Sequence, residues 1–183
     1  MHNDHTEDLV ISKPVLEALT VANEYCLFCE SIEKYSSKDI LSYFKKIAPL
    51  IYLKGCTIPE IQVNDDSFNE RFVTEEQWEE IFKTLREKFG RDDTYYMLDP
   101  NNDTMEASLA DNMADIYQDM KDFVMLYQKG TMYAKENAVE QFRTLMITRW
   151  GPVIIDALKA CHNKLYNHLS DAIDNENDYP WLF

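Results

Sequence analysis

The sequence predicts an all-α fold: a single-domain bundle of about five to six helices with two long loops. Hydrophobic residues make up 45% of the 183 residues, which is enough for a sizeable core at this length. Apolar residues recur at steps of three and four in several segments, which is the period of an amphipathic helix. Only four glycines and six prolines are present, too few for a turn-rich β-sandwich.

The polar and acidic residues 1–11 predict a flexible lead-in, so the helical domain is expected to comprise residues 12–183. The first helix should begin at Ser12–Pro14, because serine is a good N-cap and proline is tolerated in the first helical turn. Its apolar period continues to about Tyr35, which is where we expect this helix to end.

The second helix is predicted over Ser37–Lys54, with a kink or a break at Pro49, because proline removes a backbone hydrogen bond inside a helix. Residues 55–73 are rich in turn-forming residues and predict a long loop, with a short strand at Glu60–Val63 as an alternative. Loops of this length are often functional in compact domains.

A third helix is predicted over Thr74–Gly90, because Thr74 and Gln77 have the spacing of a capping box. Its glutamates, including Glu79, lie opposite the apolar stripe. Residues 91–104 contain a turn-forming run of Asp, Pro and Asn and predict the second long loop.

The central helix is predicted over Ser108–Gly130, and one of its faces is unusually acidic. Four aspartates follow each other at steps of four, four and three: Asp111, Asp115, Asp119 and Asp122. Their mutual repulsion costs about 0.2–0.5 kcal/mol per neighbouring pair. Charged helix faces are usually hydrated, so we expect these side chains to face solvent. Ion pairs with Arg143 and Arg149 across the bundle are the structural alternative.

Further helix is predicted from about Ala134 to residue 170, with a kink or a split at Gly151-Pro152. Residues Tyr179–Phe183 are rich in large apolar side chains. Because an exposed apolar segment is unfavourable in water, we expect this segment to pack on the body of the protein or on a partner subunit.

Charge and composition restrict the partners and the location. The net charge of −15 disfavours nucleic acids and anionic membranes, because both select basic surfaces. The first residues lack the pattern of a signal peptide, and no apolar run reaches 18 residues. We therefore expect a soluble cytoplasmic protein with reduced cysteines. Cys26 and Cys29 lie on the apolar side of the first helix, which favours buried thiols over a redox pair or a zinc site.

Several short motifs resemble a family of uncharacterised bacterial all-helical proteins, known only as a domain of unknown function. The motifs are Ser108-Leu109, Asp115-Ile116-Tyr117 with Asp119, Trp150-Gly151 and Ala157-Leu158. The resemblance extends from Ser12 to His162, and Val153 departs from it at a position where a polar residue is expected. It implies a helical fold and no established activity.

The leading hypothesis for function is a non-catalytic helical interaction or accessory domain that binds a protein partner or a second copy of itself. Several well-formed amphipathic helices and no complete catalytic motif favour it, and it needs no cofactor. A third hypothesis, a small-molecule site lined by Tyr117, Met120 and Trp150, is weaker, because such side chains more often form the core.

The alternative is a divalent-metal-dependent phosphohydrolase that resembles the helical nucleotide pyrophosphohydrolases. Glu75, Glu76 and Glu79 match the first half of their EExxE…ExxD motif, and the second half is absent. Mg²⁺ and Mn²⁺ prefer oxygen ligands such as carboxylates at helical spacing. The candidate metal ligands are Asp111, Asp115, Asp119 and Glu79.

Overall fold

The computed structural model describes residues 4–99 and 101–175, and it confirms the predicted mostly helical, single-domain class. The described helices are α1 Asp4–Val10, α2 Lys13–Cys29, α3 Ser37–Cys56, α4 Glu75–Phe89, α5 Leu109–Tyr127, α6 Met132–Leu145 and α7 Gly151–Asn175. The described strands are β1 Thr94–Leu98 and β2 Thr104–Ser108. The predicted docking of Tyr179–Phe183 lies outside the described residues.

Helix α5 is the centre of the bundle and packs against α2, α4, α6 and α7. Its apolar stripe is buried, as the sequence period predicts. The Oγ of Ser108 accepts a hydrogen bond from the N–H of Asp111 at 3.0 Å and so caps the helix. Gly130, three residues past the end of α5, has a φ of +82°, a left-handed conformation that glycine adopts without strain.

The segment predicted as a lead-in contains the short helix α1, which packs against α6. Val10 is fully buried, and the hydroxyl of Tyr127 donates a hydrogen bond to its carbonyl oxygen at 3.1 Å. This helix was not predicted, because a segment of seven mostly polar residues is too short to show a hydrophobic period.

The next three helices follow the prediction with shifted ends. Helix α2 ends at Cys29 and is followed by a 3₁₀ turn at Ile32–Lys34, which completes the predicted first helix. Helix α3 continues through Pro49, so the predicted break does not occur. Proline has no N–H to donate to the carbonyl oxygen four residues earlier in the helix. Because Pro49 lies on the exposed side of α3, water can hydrate that carbonyl. The capping box predicted at Thr74 and Gln77 forms at the start of α4.

The second predicted loop is wrong, because residues 91–104 contribute most of a β-hairpin. The strands pair antiparallel with Tyr96 opposite Glu106. A carboxylate oxygen of Asp99 accepts the N–H groups of Asn101 and Asp103, both at 2.8 Å, and this closes the turn. The run Thr94–Leu98 combines aromatic residues with a following turn, which is typical of a hairpin strand.

Helices α6 and α7 are joined by a π-helical turn over Met146–Trp150, immediately before the predicted split at Gly151-Pro152. A Cβ atom at Gly151 would lie 2.0 Å from the carbonyl oxygen of Met146, so glycine is needed where the turn rejoins the helix. The turn rotates Trp150 into the core, where it is 1% exposed.

Candidate functional site

The four aspartates of α5 do not form one solvated face, so that prediction is wrong. Asp111 is exposed and Asp115 is half-buried, but Asp119 and Asp122 are only 2% and 6% exposed. Burial of a carboxylate is unfavourable unless charged partners or hydrogen-bond donors compensate. The following contacts show that the long loop between α3 and α4 provides this compensation.

That loop, residues 57–74, lies across α5 and α6, and we call it the strap. The carboxylate of Asp122 accepts hydrogen bonds from the backbone N–H groups of Phe72 at 2.7 Å and Val73 at 3.2 Å. The buried carboxylate of Glu136 on α6 likewise accepts the backbone N–H of Asn64 at 3.0 Å. Buried acidic side chains thus replace the backbone partners that the strap would have in a helix or sheet. The alternative strand at Glu60–Val63 is not formed.

Two arginines neutralise the buried part of the acidic face. Nη1 of Arg71, from the strap, lies 3.2 Å from Asp119 and 2.8 Å from Asp122. Arg149, from the π-helical turn, lies 3.4 Å from both Asp115 and Asp119. The predicted pairing of Arg149 with the acidic face is therefore confirmed. The same prediction for Arg143 is wrong, because Arg143 contacts Glu60 of the strap at 3.2 Å.

Burial is the dominant influence on the pKa of Asp119. It raises the pKa above the usual value, although Arg149 and Arg71 both act in the opposite direction. Burial also raises the pKa of Asp111, and the nearby charges of Asp115 and Asp93 add to this effect. The acidic face therefore has an electrostatic cost that its ion pairs reduce without removing.

The structure places the predicted metal ligands in different surroundings. Asp115 accepts a hydrogen bond from Nε1 of Trp78 at 3.0 Å, and Asp119 is held by the two arginines. Glu79 is exposed and pairs with Lys83 at 2.8 Å. In the part of the chain that the structure describes, no group of three or more His, Cys, Asp or Glu side chains could hold a metal ion together.

The third set of candidate residues belongs to the core. Tyr117, Met120 and Trp150 are 4%, 0% and 1% exposed. Trp150 packs against Phe142 in a tilted arrangement, with 5.0 Å between ring centroids. Met120 and Trp150 therefore stabilise the bundle as core residues. Tyr117 borders a separate cavity beside Glu30 and Lys121, so the three side chains do not share one site in the part of the chain that the structure describes.

The cysteines are free thiols, and three of them are buried: Cys26, Cys29 and Cys161. Burial raises the pKa of Cys26 to about 12 and that of Cys161 to about 11. The predicted burial of Cys26 and Cys29 is confirmed. No helix in the described ranges is both long and apolar enough to cross a bilayer.

The structure reveals a groove between β1 and α7 that the sequence did not predict. One wall is strand Thr94–Leu98, and the other is formed by α7 residues that include Asp156, Lys159 and Asn163. Its cavity volume is about 410 Å³. Lys164 closes one end, because its Nζ donates to the carbonyl oxygen of Thr94 at 2.9 Å. We call this feature the β1–α7 groove.

The groove follows a strand edge that has no neighbouring strand. The N–H of Asp99 donates to the carbonyl oxygen of Asp103, and the N–H of Leu109 donates to the carbonyl oxygen of Asp93. The backbone N–H and C=O groups of the odd-numbered residues of β1 therefore point towards β2. The backbone groups of Tyr96 and Leu98 consequently point away from β2, towards the groove. Among the described residues they have no hydrogen-bond partner. Their side chains are 69% and 61% exposed.

An apolar surface continues from the groove along α7. Ile155, Leu158 and His162 border a second, shallow depression that shares Lys159 and Asn163 with the groove. Ile155 is about half exposed. The hairpin and α7 together thus present exposed apolar side chains on both sides of an unpaired backbone edge.

Comparisons with known proteins identify a family and a solved structure that are similar to this chain. The family described as "Domain of unknown function (DUF5063)" matches residues 10–167. The crystal structure of protein BF1032 from Bacteroides fragilis is similar, with a TM-score of 0.79 and 28% sequence identity. That similarity covers 86% of this chain and 96% of the other. No curated protein matches the sequence at a significant level.

Proposed function

The chain belongs to the family described as Domain of unknown function (DUF5063), and we propose that it is a non-catalytic helical interaction domain. Its ligand is an extended segment of a protein partner, which binds in the β1–α7 groove as an added strand. The observation that carries this proposal is the free backbone edge of β1 beside an exposed apolar helix face.

Strand addition uses the chemistry that this edge offers. An extended peptide gains affinity from main-chain hydrogen bonds to a sheet edge and specificity from its alternate side chains. Tyr96 and Leu98 are two residues apart, so both direct their unpaired backbone N–H and C=O groups to the same side of β1. A neighbouring strand forms its hydrogen bonds with groups at this spacing. An unpaired strand edge can pair with the strands of other protein molecules. Helix α7 lies beside this edge and leaves room for one extended chain.

The polar residues of the groove favour a partner segment with acidic character. Lys159 and Lys164 lie on the α7 side, and Asp156 is the acidic residue among the groove-lining side chains of α7. The chain as a whole has a net charge of −15, whereas this wall of the groove has more basic than acidic side chains. Alternating apolar residues flanked by Asp or Glu therefore fit the groove best.

We further propose a cytoplasmic location. Four free cysteines, of which Cys56 is exposed, are compatible with a reducing compartment. An exposed thiol in an oxidising compartment would be open to disulfide exchange.

The proposal is tested by selecting binders from a random dodecapeptide library against the full chain. Tyr96→Pro removes an N–H that points into the groove, and Glu106→Pro removes the equivalent N–H on the outer edge of β2. Neither change removes a bond between the strands, because these two residues face each other at an outward-pointing position. They form a matched pair of variants.

We expect selected peptides to bind Tyr96→Pro about tenfold more weakly than the unmodified chain, since one hydrogen bond contributes about 1–1.5 kcal/mol. Glu106→Pro should bind them with unchanged affinity. Fluorescence anisotropy of labelled peptides measures both values. Equal binding to all three proteins, or a failure to select any peptide, would contradict the proposal.

A further inference from the structure

Lys164 closes the β1–α7 groove beside Thr94, the first residue of β1. We propose that the partner segment is the C-terminal end of a protein, which runs antiparallel to β1 and places its α-carboxylate beside Lys164. This inference rests on the proposed function, because it specifies the occupant of the same groove. It replaces a general acidic character with one negative charge at a fixed position.

Lys164 ends the row of free backbone groups along the strand. Thr94 lies two residues before Tyr96, so its backbone N–H and C=O groups also point towards the groove. The carbonyl oxygen of Thr94 already accepts a hydrogen bond from Nζ of Lys164 at 2.9 Å. Within the described ranges, Tyr96 and Leu98 have no such partner. A strand added along β1 would therefore have to displace Lys164 in order to continue past Thr94.

The ammonium group of Lys164 can still bind an anion. It carries three N–H donors, and the bond to Thr94 uses one of them. Neither Lys164 nor Lys159 lies within ion-pair distance of a carboxylate in the part of the chain that the structure describes. Lys54 and Lys121, by contrast, each pair with a glutamate. The groove thus offers positive charge that the described residues leave unneutralised, although acidic residues outnumber basic ones by 33 to 18.

The positions of the charges set the direction of the partner. Asp156 lies eight residues before Lys164 on α7, which corresponds to about 12 Å of helix axis. A carboxylate is therefore attracted to the end of the groove at Lys164 and repelled near Asp156. Because Lys164 meets the first residue of β1, a partner whose C-terminus lies there runs antiparallel to the strand. Antiparallel pairing is also slightly more stable per residue than parallel pairing.

A terminal carboxylate suits this position better than an aspartate or glutamate side chain. In an antiparallel pair, the residue opposite Thr94 directs its backbone C=O towards the N–H of Thr94. If that residue is the last of its chain, its carboxylate can accept from this N–H and from Nζ of Lys164 together. Charge-assisted hydrogen bonds of this kind are stronger than neutral ones. An acidic residue within a chain would instead require the main chain to continue into Lys164.

Peptides with free and blocked termini test this assignment. Random decapeptides are displayed with a free C-terminus on a carrier protein and selected against the full chain. Each selected sequence is synthesised with an N-terminal label, once as the free acid and once as the C-terminal amide, which lacks the negative charge. Fluorescence anisotropy measures the Kd of both peptides for the unmodified chain, Lys164→Met and Lys83→Met. Lys83 on α4 is the control, because its replacement changes the net charge equally and it does not line the groove.

We expect the amide to bind the unmodified chain about tenfold more weakly than the acid, because it lacks the charge that pairs with Lys164. In Lys164→Met the acid should bind no better than the amide, whereas Lys83→Met and the charge-conserving Lys164→Arg should keep the preference. Equal Kd values of acid and amide for the unmodified chain would overturn the inference without any substitution. A preference for the acid that persists in Lys164→Met would also overturn it.

Extension of the peptides tests the closed end separately. Two glycines added after the last residue should weaken binding about tenfold, because the carboxylate is then displaced from Lys164. Two glycines added before the first residue should leave the Kd unchanged, since Leu98 at the other end of β1 is 61% exposed. Equal effects of the two extensions would contradict a closed end at Lys164.

Tyr96→Pro separates the failure of this inference from the failure of the proposed function. If acid and amide bind the unmodified chain equally and Tyr96→Pro weakens both, the inference fails and the proposed function stands. If Tyr96→Pro binds the selected peptides with unchanged affinity, or if no peptide is selected, both fail.

Discussion

A Cβ atom at Gly55 would lie 2.4 Å from Cη2 of Trp150, so the last turn of α3 and the π-helical turn are packed without space for a methyl group. The same atom would lie 2.8 Å from Cγ of Met146. Glycine at this position therefore permits the buried indole to approach the helix backbone. The Trp-Gly motif by which the sequence resembles its family thus has a packing role, with Gly55 as its partner.

We expect Gly55→Ala to lower the free energy of unfolding by about 1–3 kcal/mol, because overpacking outweighs the gain in helix propensity. Urea denaturation measures this change. In a Trp150→Phe background, Gly55→Ala should lower the free energy of unfolding by less than it does in the unmodified chain, because the smaller ring leaves room for the added methyl group. Equal losses in both backgrounds would show that the two residues are not coupled.

The strap predicts unequal roles for aspartates on the same helix. Asp122→Ala removes the acceptor for two backbone N–H groups and the partner of Arg71. We expect the free energy of unfolding to fall by about 2–4 kcal/mol. This is less than for a fully buried ion pair, because Arg71 is half-exposed. Asp111→Ala is the control and should change stability by less than about 0.5 kcal/mol. Similar losses in the two variants would contradict the anchoring role of Asp122.

Asp119 predicts a pH dependence with a definite sign. Because its pKa is raised by burial, the folded state binds the proton more tightly than the unfolded chain, whose reference value is 3.8. The free energy of unfolding of the unmodified chain should therefore rise relative to that of Asp119→Asn as pH falls from 7, through the raised pKa, to 3.8. The slope is at most about 1.4 kcal/mol per pH unit.

Urea denaturation of both proteins at several pH values measures this difference directly. About one pH unit below 3.8 the difference should become constant, because both states then hold the proton almost completely. A difference that falls as pH is lowered would mean that the pairs with Arg71 and Arg149 outweigh burial, and the assigned direction of the pKa shift would be wrong.

The parts of the fold that the sequence predicted are those with local signals. The capping box of Thr74 and the apolar stripe of α5 need only nearby residues. The family resemblance is confirmed by the match over residues 10–167. Burial of Asp119 and Asp122 depends on Arg71 and the strap, about 50 residues away in sequence. Helical spacing alone cannot reveal a contact between segments so far apart in sequence. The prediction that all four aspartates face solvent was therefore wrong.

The candidate groove could be found only after the hairpin was known. Thr94–Leu98 was predicted as loop because the turn-forming residues after it suggested irregular structure. Once these residues are a strand, their free edge and its position beside α7 follow from the packing of the bundle. Sequence reasoning therefore located the chain's rigid core and missed the surface on which the proposed function depends.

The thiols predict a simple labelling pattern. Cys56 is exposed, while Cys26, Cys29 and Cys161 are buried with raised pKa values. Since the thiolate is the reactive form, one thiol of the four should react rapidly with a disulfide reagent in the absence of denaturant. Cys56→Ser should remove that reaction. Labelling of Cys26 or Cys29 at the rate of Cys56 would contradict the buried assignment.

Divalent cations provide the test of the metal hypothesis for Asp111, Asp115, Asp119 and Glu79. Arg149 pairs with Asp115 and Asp119 and so places a positive charge where an ion would bind. We therefore expect millimolar Mg²⁺ or Mn²⁺ to shift the Tm no more than NaCl at the same ionic strength. A bound ion at a hundredfold excess over its Kd would instead add about 2.7 kcal/mol, which corresponds to a Tm increase of several degrees. An increase of that size, abolished by Asp115→Asn with Asp119→Asn, would require Arg149 to move aside and would favour the phosphohydrolase over the interaction domain.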